Sequence, residues 1–376
     1  MKVKARLVGC VVAASVMVVL LGSAQIGLCA LARGIFALGQ PGGSIPQGIL
    51  ENQNVDGVAL LFLWNHIEPN EGRFRWNDID REVARIRASG KVYSLGVTPG
   101  FNTPAWVYKD GAAAFEFRWD KPWGPAPCSL VRFPIPWDTI YLEKWRTFVR
   151  ALGTRYAHDP HLVLLKIQGV NAQTPEFLLP HDRPGDSNGS RLVNCSPSDE
   201  VAEWQTVGYR PSKIRQAWAM SAKAYAEAFP KQQLAIETGP WGMPPIDNSG
   251  NPITNRASDV DLPISIVTTG KQVLHGRFVV QNDGLKATWG WPQLQEIASP
   301  EMIAFQMVWK VTDDPTCRMN NFEHPCDPAR MLQAAIDRGI AAGAGYMEIY
   351  QADLVNPGLN KIVADAQRRL RSRNDQ

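Results

Sequence analysis

Eight short apolar runs, several of them separated by stretches of helical periodicity, constrain this chain most. They fall at residues 35–38, 58–63, 92–97, 162–167, 234–236, 278–280, 303–308 and 345–349. In the 78–88 stretch, Ile79, Val83 and Ile86 recur at spacings of four and three, and Ser89-Gly90 closes the pattern. Residues 141–157, 212–229 and 328–340 repeat that arrangement. Strands alternating with helices imply a parallel sheet, and eight such units imply a closed (β/α)8 TIM barrel in the α/β class. Barrels of this kind need about 250 residues, more with insertions. A chain of 376 residues therefore accommodates one barrel with long loops. The irregular stretches 111–137, 178–208 and 241–267 all follow strands, which places them on the carboxyl-end face where barrels bind ligands.

The N-terminal 32 residues read as a targeting segment. Lys2, Lys4 and Arg6 precede an apolar stretch from Leu7 to Leu21, and small residues follow. A cleaved signal peptide is the first reading and an uncleaved membrane anchor the alternative, leaving 33–376 as the barrel. Export to the periplasm, the cell envelope or the medium is expected. The 36 basic residues outside this start balance 36 acidic ones, which argues against a nucleic-acid partner. Cys10 and Cys29 belong to the N-terminal segment, and Cys128, Cys195, Cys317 and Cys326 remain. An even count in an exported chain suggests disulfides. The expected pairs are Cys317–Cys326, across a short loop, and Cys128–Cys195, between loops after neighbouring strands. No metal or other cofactor is expected. The chain lacks Cys-x-x-Cys, His-Glu-x-x-His, Gly-rich phosphate loops and a Gly-x-Ser-x-Gly elbow.

Two segments carry functional information. The second run leads into Trp64-Asn65-His66-Ile67-Glu68-Pro69-Asn70-Glu71-Gly72 and then Phe74-Arg75-Trp76. The third leads into Thr98-Pro99 and Thr103-Pro104-Ala105-Trp106. Tryptophan faces beside Asn, His and Thr suit sugar rings, with their apolar faces and hydroxyl edges. The plain alternative is that Trp64 and Trp106 are core. Together the two segments resemble the second and third strands of clan A glycoside hydrolases, most of all the thermophilic β-galactosidase type. That resemblance covers residues 34–110 and is patchy beyond. It implies a (β/α)8 barrel, glycosidase activity and a carbohydrate substrate.

A glycosidase needs two carboxyl groups across the scissile bond. The resemblance places the acid/base after the fourth strand, beside an Asn. Here Asn171 and Glu176 stand in that region but are not adjacent, and Glu176 is the candidate. Asn171 is expected to bond a sugar hydroxyl. The resemblance places the nucleophile at the end of the seventh strand, but that run carries Gln306 and no acid. Glu348, in the eighth run, is the preferred second carboxylate, and Glu237, after the fifth, is the other choice. For both, the plain reading is a buried acid paired with a cation or a tyrosine. Asn65, His66, Gln281, Asn282 and Asp283 are candidates to line the cleft. Trp241, Trp289, Trp291 and Trp309 are candidates to stack on rings. The leading reading is an exported or membrane-tethered glycoside hydrolase acting on a polysaccharide or oligosaccharide. Its main rival is a non-catalytic carbohydrate-binding protein on the same barrel, which the missing seventh-strand acid favours. An envelope scaffold is the third.

Overall fold

The computed structural model describes residues 31–372, apart from 120–124, 127, 173, 184–198, 240–241, 254–260, 289–290 and 292. Residues 1–30, and with them nearly all of the expected targeting segment, lie outside the described residues. Among the described residues no helix is long and apolar enough to cross a membrane. Ala32 is fully buried, and its N–H donates to Gln233 Oε1 at 2.7 Å, so it already belongs to the folded body.

The strands are β1 (Gly34–Leu38), β2 (Gly57–Leu63), β3 (Val92–Thr98), β4 (Ala114–Arg118), β5 (Leu130–Pro134), β6 (Leu162–Lys166), β7 (Gln233–Glu237), β8 (Phe278–Leu285), β9 (Met302–Met307) and β10 (Ala344–Tyr350). Eight of them close a barrel in the order β1-β10-β9-β8-β7-β6-β3-β2, with β2 returning to β1. Every barrel pair is parallel. Helices such as Asn77–Ala88, Thr139–Tyr156, Pro211–Ala228 and Pro328–Ala341 connect the strands and turn their apolar stripes onto the outside of the barrel. The fold is the (β/α)8 barrel that the eight apolar runs imply.

The described parts of the 111–137 stretch contain regular structure where the sequence pattern reads as irregular. β4 and β5 form an antiparallel hairpin, and Phe115 and Phe117 turn inward between exposed Glu116 and Arg118. Phe115 stacks on Trp204 at 4.2 Å between centroids, from the helix Glu200–Thr206. β8 extends five residues past its apolar run, through the polar Gln281, Asn282 and Asp283 and a bulge before Leu285.

The barrel interior is layered. A lower apolar layer holds Phe36, Leu164, Ala235, Val279, Ala304 and Tyr346. One step nearer the carboxyl end, the inward positions are Lys166, Glu237, Gln281 and Glu348, all buried. Gly96 makes room for the lysine, since a Cβ there would lie 3.2 Å from Lys166 Cδ and 3.0 Å from Leu61 Cδ2.

Candidate active site

The two acids expected as second carboxylate are both locked into that inner layer. Lys166 Nζ donates to Glu348 Oε2 at 2.8 Å and makes a still shorter contact with Glu237. Gln281 Nε2 donates to both, at 2.8 Å to Glu237 Oε1 and 3.1 Å to Glu348 Oε2. The Tyr346 hydroxyl donates to Glu348 Oε1 and lies 3.0 Å from Ser94 Oγ. Glu348 is wholly inaccessible. Its partners are those of a buried acid paired with a cation and a tyrosine, and no face is left for a substrate. Glu237 is held in the same way, and its Oε2 is buried without a partner. Burial, outweighing the neighbouring ammonium, pushes the Glu237 carboxyl up to about 8. One ammonium between two carboxylates is then balanced by one proton. Gln281, expected in the cleft, is a member of this cluster instead.

Glu176 sits above it and is partly exposed. The loop after β6 leaves the barrel and returns. Phe177 N donates to Glu237 O at 2.6 Å, and Glu176 forms a parallel bridge with Glu237. The four residues between Asn171 and Glu176 are therefore an excursion, after which Glu176 rejoins the sheet beside β7. Asn171 builds that excursion. Its Oδ1 accepts from Gly169 N at 3.0 Å, and its Nδ2 donates to Gln168 Oε1 at 2.5 Å and to Thr174 O at 2.6 Å. The expected bond from Asn171 to a sugar is thus replaced by bonds that shape the loop. Gly100 lets the neighbouring loop come close: a Cβ there would lie 1.7 Å from Ala172 O. Burial raises the Glu176 carboxyl above the ordinary range, opposed by a hydrogen bond from Thr174, by the Lys166 and Arg318 charges, and by a hydrogen bond from Gln306. Gln306 thus acts on Glu176 from the seventh-strand place where the resemblance implies an acid.

Asp283, named from sequence only as a cleft liner, is the second carboxyl of the mouth. It lies on β8 two residues beyond inward-facing Gln281 and is partly exposed. Burial, then the nearby Glu176 and Glu237, raise it well above the usual aspartate range. Tyr350 and Arg318 complete the group, and both are felt electrostatically at Glu176 or by it. Trp309 belongs here, 5.8 Å from the Tyr350 ring with the Arg318 guanidinium 5.0 Å from its centroid. Asn282 is buried and tied to the backbone, donating to Thr238 O at 2.9 Å and accepting from Gly284 N at 3.1 Å. Thr98 Oγ1, Thr238 Oγ1 and Asn65 Oδ1, at or just past strand ends, are buried without partners.

The tryptophans of the recognisable motif lie elsewhere. Trp64 is completely buried against Trp106, Tyr141, Trp145 and Phe148, so the expected sugar contact is corrected to a core role. Its indole N–H donates to Glu68 Oε2 at 2.8 Å, and Gly72 N donates to Glu68 Oε1 at 2.8 Å. Trp106 is half-buried in the same corner, donating to Glu68 O at 3.1 Å, with Lys144 Nζ 5.5 Å from its ring. His66 is exposed and Asn65 half-buried on the short turn of helix Trp64–Ile67. Trp291 is buried, whereas Trp241 and Trp289 lie outside the described residues. Cys317 and Cys326 form the expected disulfide, with Cα atoms 5.5 Å apart. His324 Nδ1 lies 3.1 Å from Cys317 Sγ, but bonded sulfurs do not serve as thiolate ligands. Cys128 is disulfide-bonded as well, and Cys195, its expected partner, lies outside the described residues.

Known proteins agree with this architecture. The family model for β-galactosidase (glycoside hydrolase 42) matches residues 49–172. The catalytic domain of β-amylase from Paenibacillus polymyxa shares the fold with a TM-score of 0.56 at 10% identity, covering 88% of this chain and 95% of that one. The β-galactosidase from Rahnella sp. R3 does so with a TM-score of 0.53 at 12% identity, covering 91% of this chain and 57% of that one. No curated protein matches the chain. The chain is similar to clan A glycoside hydrolases, and the family match supports a glycosidase.

Proposed function

We propose that this protein hydrolyses glycosidic bonds of a polysaccharide or oligosaccharide, with Glu176 as proton donor and Asp283 as second carboxyl. The observation that carries the reading is the pairing of these two partly exposed carboxyls at the barrel mouth, both raised by burial and with the Glu176 charge felt at Asp283. An acid that keeps its proton toward neutral pH can give it to a departing sugar oxygen. Asp283, once it has released its own proton, serves the incoming group on the other side of the bond as a carboxylate. Gln306, an amide, holds Glu176 in place and takes no part in bond making. Trp309 and Tyr350 offer rings to the sugar. The N-terminal segment directs export, and the disulfide fits an oxidising compartment.

The binding-protein reading keeps one observation in its favour, namely Gln306 where the resemblance implies an acid. Turnover decides between the two. Wild-type protein is assayed against a panel of polysaccharides beside Glu176→Gln and Asp283→Asn. Each substitution is expected to lower kcat by roughly 100- to 10,000-fold, the worth of general acid/base help, while glycan binding survives in Glu176→Gln. Full activity in Glu176→Gln refutes the proposed mechanism. Binding without turnover in the wild type establishes the rival.

A further inference from the structure

One side of the mouth carries positive charge that the proposed hydrolysis does not use. Two acids, Asp353 from the helix after β10 and Asp314, are taken up by backbone N–H groups of the segment after β9. Asp353 accepts from Val311 N at 3.0 Å and from Thr312 N at 2.7 Å. Asp314 accepts from Thr316 N at 3.0 Å, from Thr316 Oγ1 at 2.6 Å and from Arg318 N at 2.7 Å. Arg318 is thereby left without a carboxylate in contact. Its guanidinium lies over Trp309, and among the described residues it forms no ion pair. The Cys317–Cys326 disulfide begins at the adjacent residue and closes the loop.

A second cation lies on the adjoining segment. Leu285 turns outward against the helix Pro328–Ala341, since a Cβ on Gly339 would lie 3.0 Å from Leu285 Cδ2. The next residue, Lys286, follows the end of β8, and the Arg318 charge is felt there. It is half-buried and forms no ion pair among the described residues. Asn321 Nδ2 donates to Thr288 Oγ1 at 2.7 Å, which ties the disulfide loop to the segment carrying Lys286. Burial and then the Arg318 charge hold the Lys286 ammonium below the ordinary lysine range. Two like charges on adjoining segments, partly withdrawn from water, oppose each other and are relieved by an anion. The fork of Arg318 matches the two oxygens of a carboxylate or sulfate. Trp309 and Tyr350 provide ring surface beside it.

We infer that the mouth takes an acidic sugar, bearing a carboxylate or sulfate, whose charge is held by Arg318 and Lys286 while its ring lies beside Trp309. This rests on reading the mouth as a carbohydrate site. The test is calorimetric binding of matched probes. Oligouronides are compared with their carboxyl-reduced counterparts, and sulfated oligosaccharides with desulfated ones. Wild type, Arg318→Ala, Arg318→Lys and Lys286→Gln are each titrated at low and high salt, with thermal unfolding as the folding check. At least one acidic member is expected to bind about tenfold tighter than its neutral partner, a difference of about 1.4 kcal/mol. Whichever pair shows it identifies carboxylate or sulfate. That advantage should shrink with salt, vanish in Arg318→Ala, and fall part-way in Arg318→Lys and Lys286→Gln. Equal or tighter binding of the neutral members, no binding of any probe, or a preference that survives both Arg318→Ala and Lys286→Gln overturns the inference. Turnover of the same probes is read separately. Hydrolysis of neutral glycans alone sinks the acidic site and keeps the hydrolase, whereas selective acidic binding without turnover does the reverse.

Discussion

The barrel carries two clusters at strand ends that differ in nearly every respect. Around Trp64 the space is filled, with indole, phenol and phenyl rings in contact and Glu68 tying the Trp64 side chain to the Gly72 backbone. Around Glu176 the groups are polar, partly exposed and coupled by charge. The family match covers the first and stops at residue 172, four residues before Glu176. What makes this chain recognisable is thus a structural corner that fixes the frame. The carboxyls proposed for the chemistry, Glu176 and Asp283, lie beyond the matched stretch. A motif containing Trp, Asn, His and Glu looks like a site, yet its acid serves as a hydrogen-bond acceptor for its own turn.

That contrast breaks first at the ion cluster. Lys166→Met leaves Glu237 and Glu348 buried without their cation, and a loss of about 3–5 kcal/mol is expected in urea denaturation. If the loss is below about 1 kcal/mol, the cluster is not the buried pairing described here. Replacing Cys317 and Cys326 by Ser removes a closed loop of 9-residue separation, and about 2–3 kcal/mol of stability should go with it. Sugar affinity should fall too, because Arg318 loses its frame. Glu68→Gln is expected to cost about 1–2 kcal/mol, since the amide satisfies only one of the two donors. Turnover and glycan affinity should be unchanged, and a loss of either would make the aromatic corner part of the site.

Two smaller effects depend on pH. Glu237 is held protonated in the fold up to about 8, against an ordinary value of 4.5. Between those values the fold retains a proton that the unfolded chain has released, so this group's contribution to stability is lost as pH rises through that window. Thermal scans should show a decline across it that Glu237→Gln lacks. If both proteins decline equally, Glu237 is ionised in the fold. Arg318→Ala removes a charge that favours ionised Glu176. The basic limb of the kcat/KM profile should move to higher pH, and an unmoved limb would separate Arg318 from Glu176.

The frame was legible because apolar periodicity reports burial between strand and helix. It fails inside the barrel. The apolar run ends at Val280 because Gln281, Asn282 and Asp283 are polar, yet β8 continues to Leu285. Lys166 sat in plain view within an apolar run, and a lone lysine there is the signal that the two buried glutamates had a partner. Glu348 attracted attention as an acid in an apolar strand, which its pairing explains. The β4–β5 hairpin was readable in the alternation Phe115-Glu116-Phe117-Arg118. Asp283 and Arg318 were not readable as site residues. Only the bulge in β8 and the loop after β9 bring them toward Glu176, and no local pattern encodes that approach.

The layer of Phe36, Leu164, Ala235, Val279, Ala304 and Tyr346 beneath the ion cluster makes this barrel a cup and not a pipe. Traffic has one doorway. A spent fragment must back out along the path by which the next molecule arrives, so accumulating product competes with substrate for the same entrance. Any kinetic scheme for this protein should carry that competition from the outset.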